Sequence, residues 1–131
     1  MSKYIPGTYD LRVKRGSSGR GLFAYSPIKK GTCVVEYFGR TLTEPEEYTS
    51  RSLYLFEVTK KKTIDGNVKG NIAKYINHSC KPNCEAETYK GRVWIMAKRN
   101  IKVGEELAYD YGKDFFDEHI KKKGCRCLKC Q

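Results

Sequence analysis

Three thiols close the chain, in the run Cys125-Arg126-Cys127-Leu128-Lys129-Cys130. Structural zinc takes four nitrogen or sulfur ligands in a tetrahedron, so C-x-C-x2-C supplies three and requires a fourth from elsewhere. The search for it leads to Asn77-His78-Ser79-Cys80, with Cys84 as a further thiol just beyond. A disulfide scaffold is the weaker reading. Met1-Ser2-Lys3-Tyr4 lacks the apolar stretch of a secretory leader, and a reducing compartment keeps thiols free for metal. Cysteine near histidine also suggests a Cys-His hydrolase. That reading is set aside because an extended strand would point the two side chains apart. Cys33, within a β-branched run, reads as a small buried hydrophobe.

Tyr37, Tyr54, Tyr75, Tyr109 and Tyr111 lie in or beside apolar segments. Taken singly, each is best read as a core tyrosine with a satisfied hydroxyl; together they would line a narrow aromatic channel suited to a cationic guest. Ser18-Gly19-Arg20-Gly21 is a G-x-G turn entering a strand. It lacks the third glycine of a dinucleotide fingerprint, so it is either a simple turn or a loop whose backbone approaches a cofactor.

The elements that must position these groups are short and mostly β. Runs of β-branched and aromatic residues closed by turn residues predict strands over Tyr9 to Val13, Gly21 to Tyr25, Thr32 to Phe38, Tyr54 to Thr59, Glu85 to Tyr89, Arg92 to Ala97 and Glu106 to Tyr109. Lys90-Gly91 reads as a hairpin turn. Thr43 to Ser50 begins with a capping box, Thr43 and Glu46, with Pro45 in the first turn, and predicts a short helix; a second covers Asn71 to Ile76. There is one internal echo. Ala24, Ile28-Lys29-Lys30-Gly31 and a strand reaching Tyr37 match Ala97, Ile101-Lys102-Val103-Gly104 and a strand reaching Tyr109 and Tyr111. Either both are ordinary strand connections, or the two tyrosine-bearing ends converge on one pocket.

A chain of 131 residues is one domain's worth, and no apolar run approaches the roughly 18 residues that span a bilayer. The net charge of +11 makes an anionic partner plausible: nucleic acid, a nucleoprotein particle or an acidic protein face. The runs Lys60-Lys61-Lys62 and Lys121-Lys122-Lys123, however, are the kind that usually form solvated surface.

In order along the chain stand GRGLFA (Gly19 to Ala24), EYFGR (Glu36 to Arg40), YLFEV (Tyr54 to Val58), GNIAKYINHSCKPNC (Gly70 to Cys84), GEELAYDYG (Gly104 to Gly112) and CRCLKC (Cys125 to Cys130). From Tyr9 to Cys130 the chain resembles the SET-domain protein lysine methyltransferases with a short post-SET tail. The resemblance implies a mainly β fold of small curved sheets with a pseudoknot and few short helices, a SET domain over 1-112 and a zinc-stabilised tail over 113-131. It implies S-adenosylmethionine as methyl donor, held by Ser18, Arg20, Gly21, Tyr54, Asn77 and His78, with Phe115 against the adenine. It implies a lysine channel walled by Tyr37, Tyr54, Tyr109 and Tyr111, in which Tyr111 and Tyr37 are the catalytic pair and Tyr109 and Tyr54 contact substrate. Zinc would sit on Cys80, Cys125, Cys127 and Cys130, with Cys84 the rival for the fourth place.

By the same resemblance the substrate is a lysine of a basic protein tail, a histone by default, in an intracellular setting: chromatin in a eukaryote, cytoplasm otherwise. Basic surface would permit non-specific nucleic-acid contact, and Glu57 or Asp110 would keep the channel mouth acidic. Tyr109 stands where the family has Phe or Tyr, which implies mainly mono-methylation, extending to di-. Three features depart from the family: the tight spacing of the last two cysteines, Lys74 in place of the usual arginine, and a short segment between Gly39 and Leu53 that leaves a minimal substrate groove. A non-catalytic peptide- or nucleic-acid-binding module is the competing reading.

Neutral lysine is the nucleophile such a transfer needs. At pH 7 a lysine of pKa about 10.4 is 3.4 units from half-neutral, a cost of roughly 4.6 kcal/mol that the site must offset. A desolvating channel and a neighbouring positive charge both act in that direction.

Overall fold

A computed structural model describes residues 3-16 and 19-111. Ser18, Phe115, Cys125, Cys127, Cys130 and the proposed tail over 113-131 lie outside the described residues. Ten short strands dominate the described residues. Strands β1 (Leu11–Gly16) and β2 (Gly19–Ala24) form an antiparallel hairpin. Strands β3 (Cys33–Tyr37), β8 (Cys84–Tyr89) and β9 (Arg92–Ala97) form a sheet with β9 in the centre. Strands β4 (Arg40–Thr41), β5 (Leu55–Thr59) and β6 (Lys62–Asp65) form another, with β6 in the centre. The shortest sheet pairs β7 (Asn77–His78) with β10 (Ala108–Tyr109) in parallel.

The predicted strands are all present, most with shifted ends: the first begins at Leu11 and continues to Gly16 because its pairing runs to the hairpin tip. Helix α1 (Glu44–Thr49) has the expected box, with the Thr43 amide donating to Glu46 Oε1 at 2.9 Å. The predicted second helix is instead a 3₁₀ turn, Ile72–Tyr75, held by bonds such as Ile76 N to Ala73 O at 3.1 Å. Lys90 and Gly91 both take positive φ, 52° and 75°, as a two-residue hairpin between β8 and β9 requires. Strands β4, β6 and β7 were not legible in the sequence: β4 and β7 are two residues long, and β6 follows a lysine run that reads as surface.

The core collects one face from each small sheet, with Leu22, Ile28, Ile76, Val93, Ile95, Ile101 and Leu107 almost fully buried. Trp94, Cys33 and Met96 form a smaller cluster on the far side of the β3-β9-β8 sheet, where Tyr4 packs on them. Cys33 is thus the buried small residue expected, its thiol pushed up to about 11 chiefly by burial.

The internal echo is a structural pairing. Ile28 and Ile101 exchange both backbone bonds, at 2.9 and 2.8 Å. Gly31 N donates to Ala97 O at 2.9 Å, and its counterpart Gly104 N donates to Ala24 O at 2.7 Å. The two turns therefore clasp each other, and the strands leaving them both end at tyrosines.

Candidate active site

Residues 105-109 form the crossing that organises the site. Against β2, Ala24 N donates to Glu105 O at 2.9 Å and Leu107 N to Leu22 O at 2.8 Å. On the other side, Ala108 pairs with Asn77, Tyr109 pairs with His78, and Ser79 N donates to Tyr109 O at 3.2 Å. Buried Asn83 locks the crossing: its Nδ2 donates to Glu106 O at 3.0 Å and its Oδ1 accepts from Ala108 N at 2.9 Å. Sequence reading missed Asn83 as a functional part; the only signal was its place within the PNC string.

Three phenols meet at the end of this crossing. Tyr37 and Tyr109 are buried and Tyr111 is half-buried, with the rings of Tyr109 and Tyr111 4.9 Å apart. Tyr37 donates its hydroxyl to Tyr54 O at 2.7 Å, and Tyr111 donates to Ile76 O. The Tyr109 hydroxyl has no hydrogen-bond partner among the described residues. Burial pushes all three phenols above the ordinary tyrosine range; Tyr111 adds to the rise at Tyr37 and Tyr109, and Tyr54 and Glu106 add to it at Tyr111. They are therefore protonated donors at neutral pH. Tyr54 is half-buried beside them, its ring 6.0 Å from Lys74 Nζ. Lys74 also approaches the Tyr75 ring at 5.3 Å and Asn67 Oδ1 at 3.3 Å, so Tyr75 is turned toward that lysine.

Asn77 and His78 are the polar floor. Asn77 spends both amide hydrogens, one on Arg20 O at 3.1 Å and one on Glu106 Oε2 at 2.7 Å, which leaves its Oδ1 as an acceptor. Glu106 lies so close to Gly21 that a Cβ there would stand 2.3 Å from Oε2; only glycine allows this approach. Neither role of Glu106 was legible beyond its membership of the GEEL string. Near the hairpin's tip Arg15 and Arg20 face each other across β1 and β2, beside a shallow cleft lined also by Val13, Lys14 and Gly19.

His78 is buried, and burial lowers its pKa against the opposing effect of Asp110. Its Nδ1 accepts from Tyr111 N at 3.2 Å, which places the ring proton on Nε2. Cys80 Sγ lies 3.5 Å from that Nε2. The expectation that these two side chains point apart is wrong: residues two positions apart in extended chain share a face, and here the thiol and the ring stand side by side just past the end of β7. A cysteine-histidine hydrolase is still disfavoured, for a different reason: a ring already protonated at Nε2 cannot take the thiol proton there. Cys80 is exposed, whereas Cys84 is fully buried and its thiol is pushed up to about 12 by burial. Among the described residues no three metal-ligating side chains come together, and no helix is long and apolar enough to cross a membrane.

Comparison with protein families matches residues 19-112 to the SET domain. The chain is 42% identical over 115 residues to histone-lysine N-methyltransferase trr of Drosophila melanogaster, covering 79% of this chain and 5% of that protein. It is 38% identical over 120 residues to the histone-lysine N-methyltransferase, H3 lysine-4 specific, of Schizosaccharomyces pombe, covering 82% and 13%. Against histone-lysine N-methyltransferase 2D of Homo sapiens it is 37% identical over 121 residues, covering 83% and 2%. The chain thus spans a small fraction of the length of these relatives.

Proposed function

The chain belongs to the SET-domain family, and from that premise we propose that it is an S-adenosylmethionine-dependent protein-lysine N-methyltransferase acting on a histone tail. The observation that carries this reading is the joint placement of Asn77, His78 and Tyr111 at the crossing, with Tyr37 and Tyr109 closing around the same point. In a eukaryotic cell such an enzyme works on chromatin.

The residues present fit the cofactor. Asn77 Oδ1 is a free-facing acceptor for an ammonium group, Gly21 allows close backbone approach, and Arg15 and Arg20 suit a carboxylate. Tyr54 and His78 complete this side, with Ser18 and Phe115 assigned to it by resemblance. S-adenosylmethionine bound there would supply an electrophilic sulfonium methyl. The chain's own residues do the rest. Aromatic walls strip water from the lysine and lower its pKa, and the fixed phenols hold the amine in line. Tyr111 orients and supports the reacting centre through a hydroxyl that stays protonated, and Tyr37 offers the amine a hydrogen-bond partner. The Tyr109 hydroxyl retains a water or the amine and takes up room, which favours mono-methylation with some di-methylation.

Zinc on Cys80, Cys125, Cys127 and Cys130 would tie the tail down as a lid, its binding energy serving as folding energy. The exposure of Cys80 and the burial of Cys84 support this choice. So does the Nε2-H of His78, directed at a sulfur that would be a thiolate when metal-bound.

The test is transfer of labelled methyl from S-adenosylmethionine to a panel of histones and ribosomal proteins, run beside Tyr111→Phe. Methylation of a histone lysine that collapses in the variant is expected. No Tyr111-dependent transfer to any lysine overturns the reading.

A further inference from the structure

The clasped turns of the internal echo play no part in the chemistry above, yet they concentrate charge. Residues 28-31 and 97-104 are held face to face by the reciprocal Ile28 and Ile101 bonds, and Lys30 N is fixed to Asn100 Oδ1 at 2.8 Å. Lys29, Lys30, Lys98 and Lys102 are all exposed on this corner. None forms an ion pair among the described residues. The corner's one carboxylate, Glu105, is taken up by Arg99 at 2.6 Å and by the Lys102 amide at 2.6 Å.

We infer that this corner is a docking face for the phosphate backbone of duplex DNA. It goes beyond the methyl-transfer reading, taking up the anionic partner that the net charge of +11 suggests, and is independent of methyl transfer. Lysines are strongly hydrated point charges that meet phosphate without reading bases, and duplex DNA presents one charge per roughly 1.7 Å of axis. Neither turn carries an aromatic side chain, so the stacking that single-stranded nucleic acid relies on is not offered here. Val103 is the large apolar side chain exposed on these turns, too little for the apolar anchor of an acidic protein partner.

Geometry ties the face to the site. β3 and the 104-109 segment both start at this corner and end at the tyrosines. At about 3.3 Å per residue, five or six residues of extended chain put the phenols roughly 20 Å from the lysines. DNA held at the corner would leave the channel mouth open to a protein tail.

The experiment is fluorescence anisotropy with a labelled duplex, titrated between about 50 and 200 mM salt. Each phosphate contact contributes about 0.9 to the slope of log K against log salt, so four lysines predict a contribution of about 3.6. The variant Lys29→Gln/Lys30→Gln/Lys98→Gln/Lys102→Gln should flatten the slope by about that much and weaken binding a hundredfold or more. A charge-matched control, Lys60→Gln/Lys61→Gln/Lys69→Gln/Lys81→Gln, should leave both nearly unchanged. Should the quadruple variant misfold, the pairs Lys29→Gln/Lys30→Gln and Lys98→Gln/Lys102→Gln should each flatten the slope by about 2. Equal weakening by the control set, binding of single strands or polyglutamate as tight as duplex, or no duplex binding at low salt overturns the inference. Methylation of a short lysine peptide should be the same in the quadruple variant and the wild type. Its absence from both would count against the active-site reading alone.

Discussion

Asn83→Leu is the most informative single perturbation of the fold. The side chain is nearly isosteric and apolar, so it keeps the volume of a buried residue and removes only its hydrogen bonds. Two partners are left behind: Glu106 O, which accepts at 3.0 Å, and Ala108 N, which donates at 2.9 Å. A buried group stripped of its partner costs about 1-3 kcal/mol, and both partners here are half-buried, so the pair should cost about 2-4 kcal/mol. That is a large part of the roughly 5-15 kcal/mol that holds a domain together. Urea unfolding followed by the single tryptophan, Trp94, should show a midpoint lowered by about 2 M with unchanged slope, taking a slope near 1.5 kcal/mol/M. Asn83→Asp separates the two bonds. It keeps an acceptor for Ala108 N but sets a carboxylate against Glu106 O, so its folded pKa is raised. A raised folded pKa means stability is recovered as pH falls, and Asn83→Asp should regain part of the loss near pH 4 while Asn83→Leu should not. A midpoint for Asn83→Leu within 0.3 M of wild type, or no pH-dependent difference between the two variants, would refute the clamp.

Three further outcomes follow from the site. Tyr109→Phe should keep methyl transfer and shift products toward di- and trimethyl-lysine by mass spectrometry; an unchanged distribution removes the role given to that hydroxyl. Tyr37, Tyr109 and Tyr111 all have folded pKa values above the unfolded value of 10, so their contribution is intact below pH 10 and is lost as pH rises beyond it. Three such groups should steepen the loss by about 4 kcal/mol per pH unit, and Tyr109→Phe should reduce that slope by about a third in alkaline unfolding curves. A strong zinc chelator, or Cys80→Ser, should abolish methyl transfer while leaving far-ultraviolet circular dichroism of the β core largely intact; activity that survives both refutes the zinc-held lid.

Strands of five or six residues were legible because alternation over that length is a signal, and Arg92–Ala97 was read to the residue. β7 and β10 were not separable as a parallel pair, because two residues carry no period and their pairing depends on a crossing of segments some 30 residues apart. The phenols were legible as a group, since five tyrosines beside apolar runs are uncommon. Which of them meet was not: Tyr75 faces Lys74, and Tyr54 contributes its backbone carbonyl to Tyr37 as well as its ring. The error over His78 and Cys80 has a different origin: the period of two, which places residues two apart on one face, was applied as if the pair were immediate neighbours. Asn83 and Glu106 escaped notice because a polar residue in a turn-rich stretch looks solvated until its partners, here from another segment, are known.

If the site methylates lysine as proposed, the state of Tyr111 constrains how the lysine proton would leave. For its phenol to act as a base it must first ionise, which at pH 7 costs about 4 kcal/mol for an unperturbed tyrosine, and burial at this position raises that cost. Deprotonating a solvated lysine costs roughly 4.6 kcal/mol. A phenolate base would therefore save little in the best case and nothing once its own burial is counted. The hydroxyl is also committed as a donor to Ile76 O, and ionisation would set a negative oxygen against that carbonyl. Tyr37 is in the same position, with its hydroxyl donated to Tyr54 O. In the proposed transfer the proton would then leave to water before the amine is sealed in, driven by desolvation of the ammonium in the aromatic walls. What the buried phenols would contribute to that transfer is a set of fixed dipoles around a neutral amine, and the elevation of their pKa values keeps those dipoles in place.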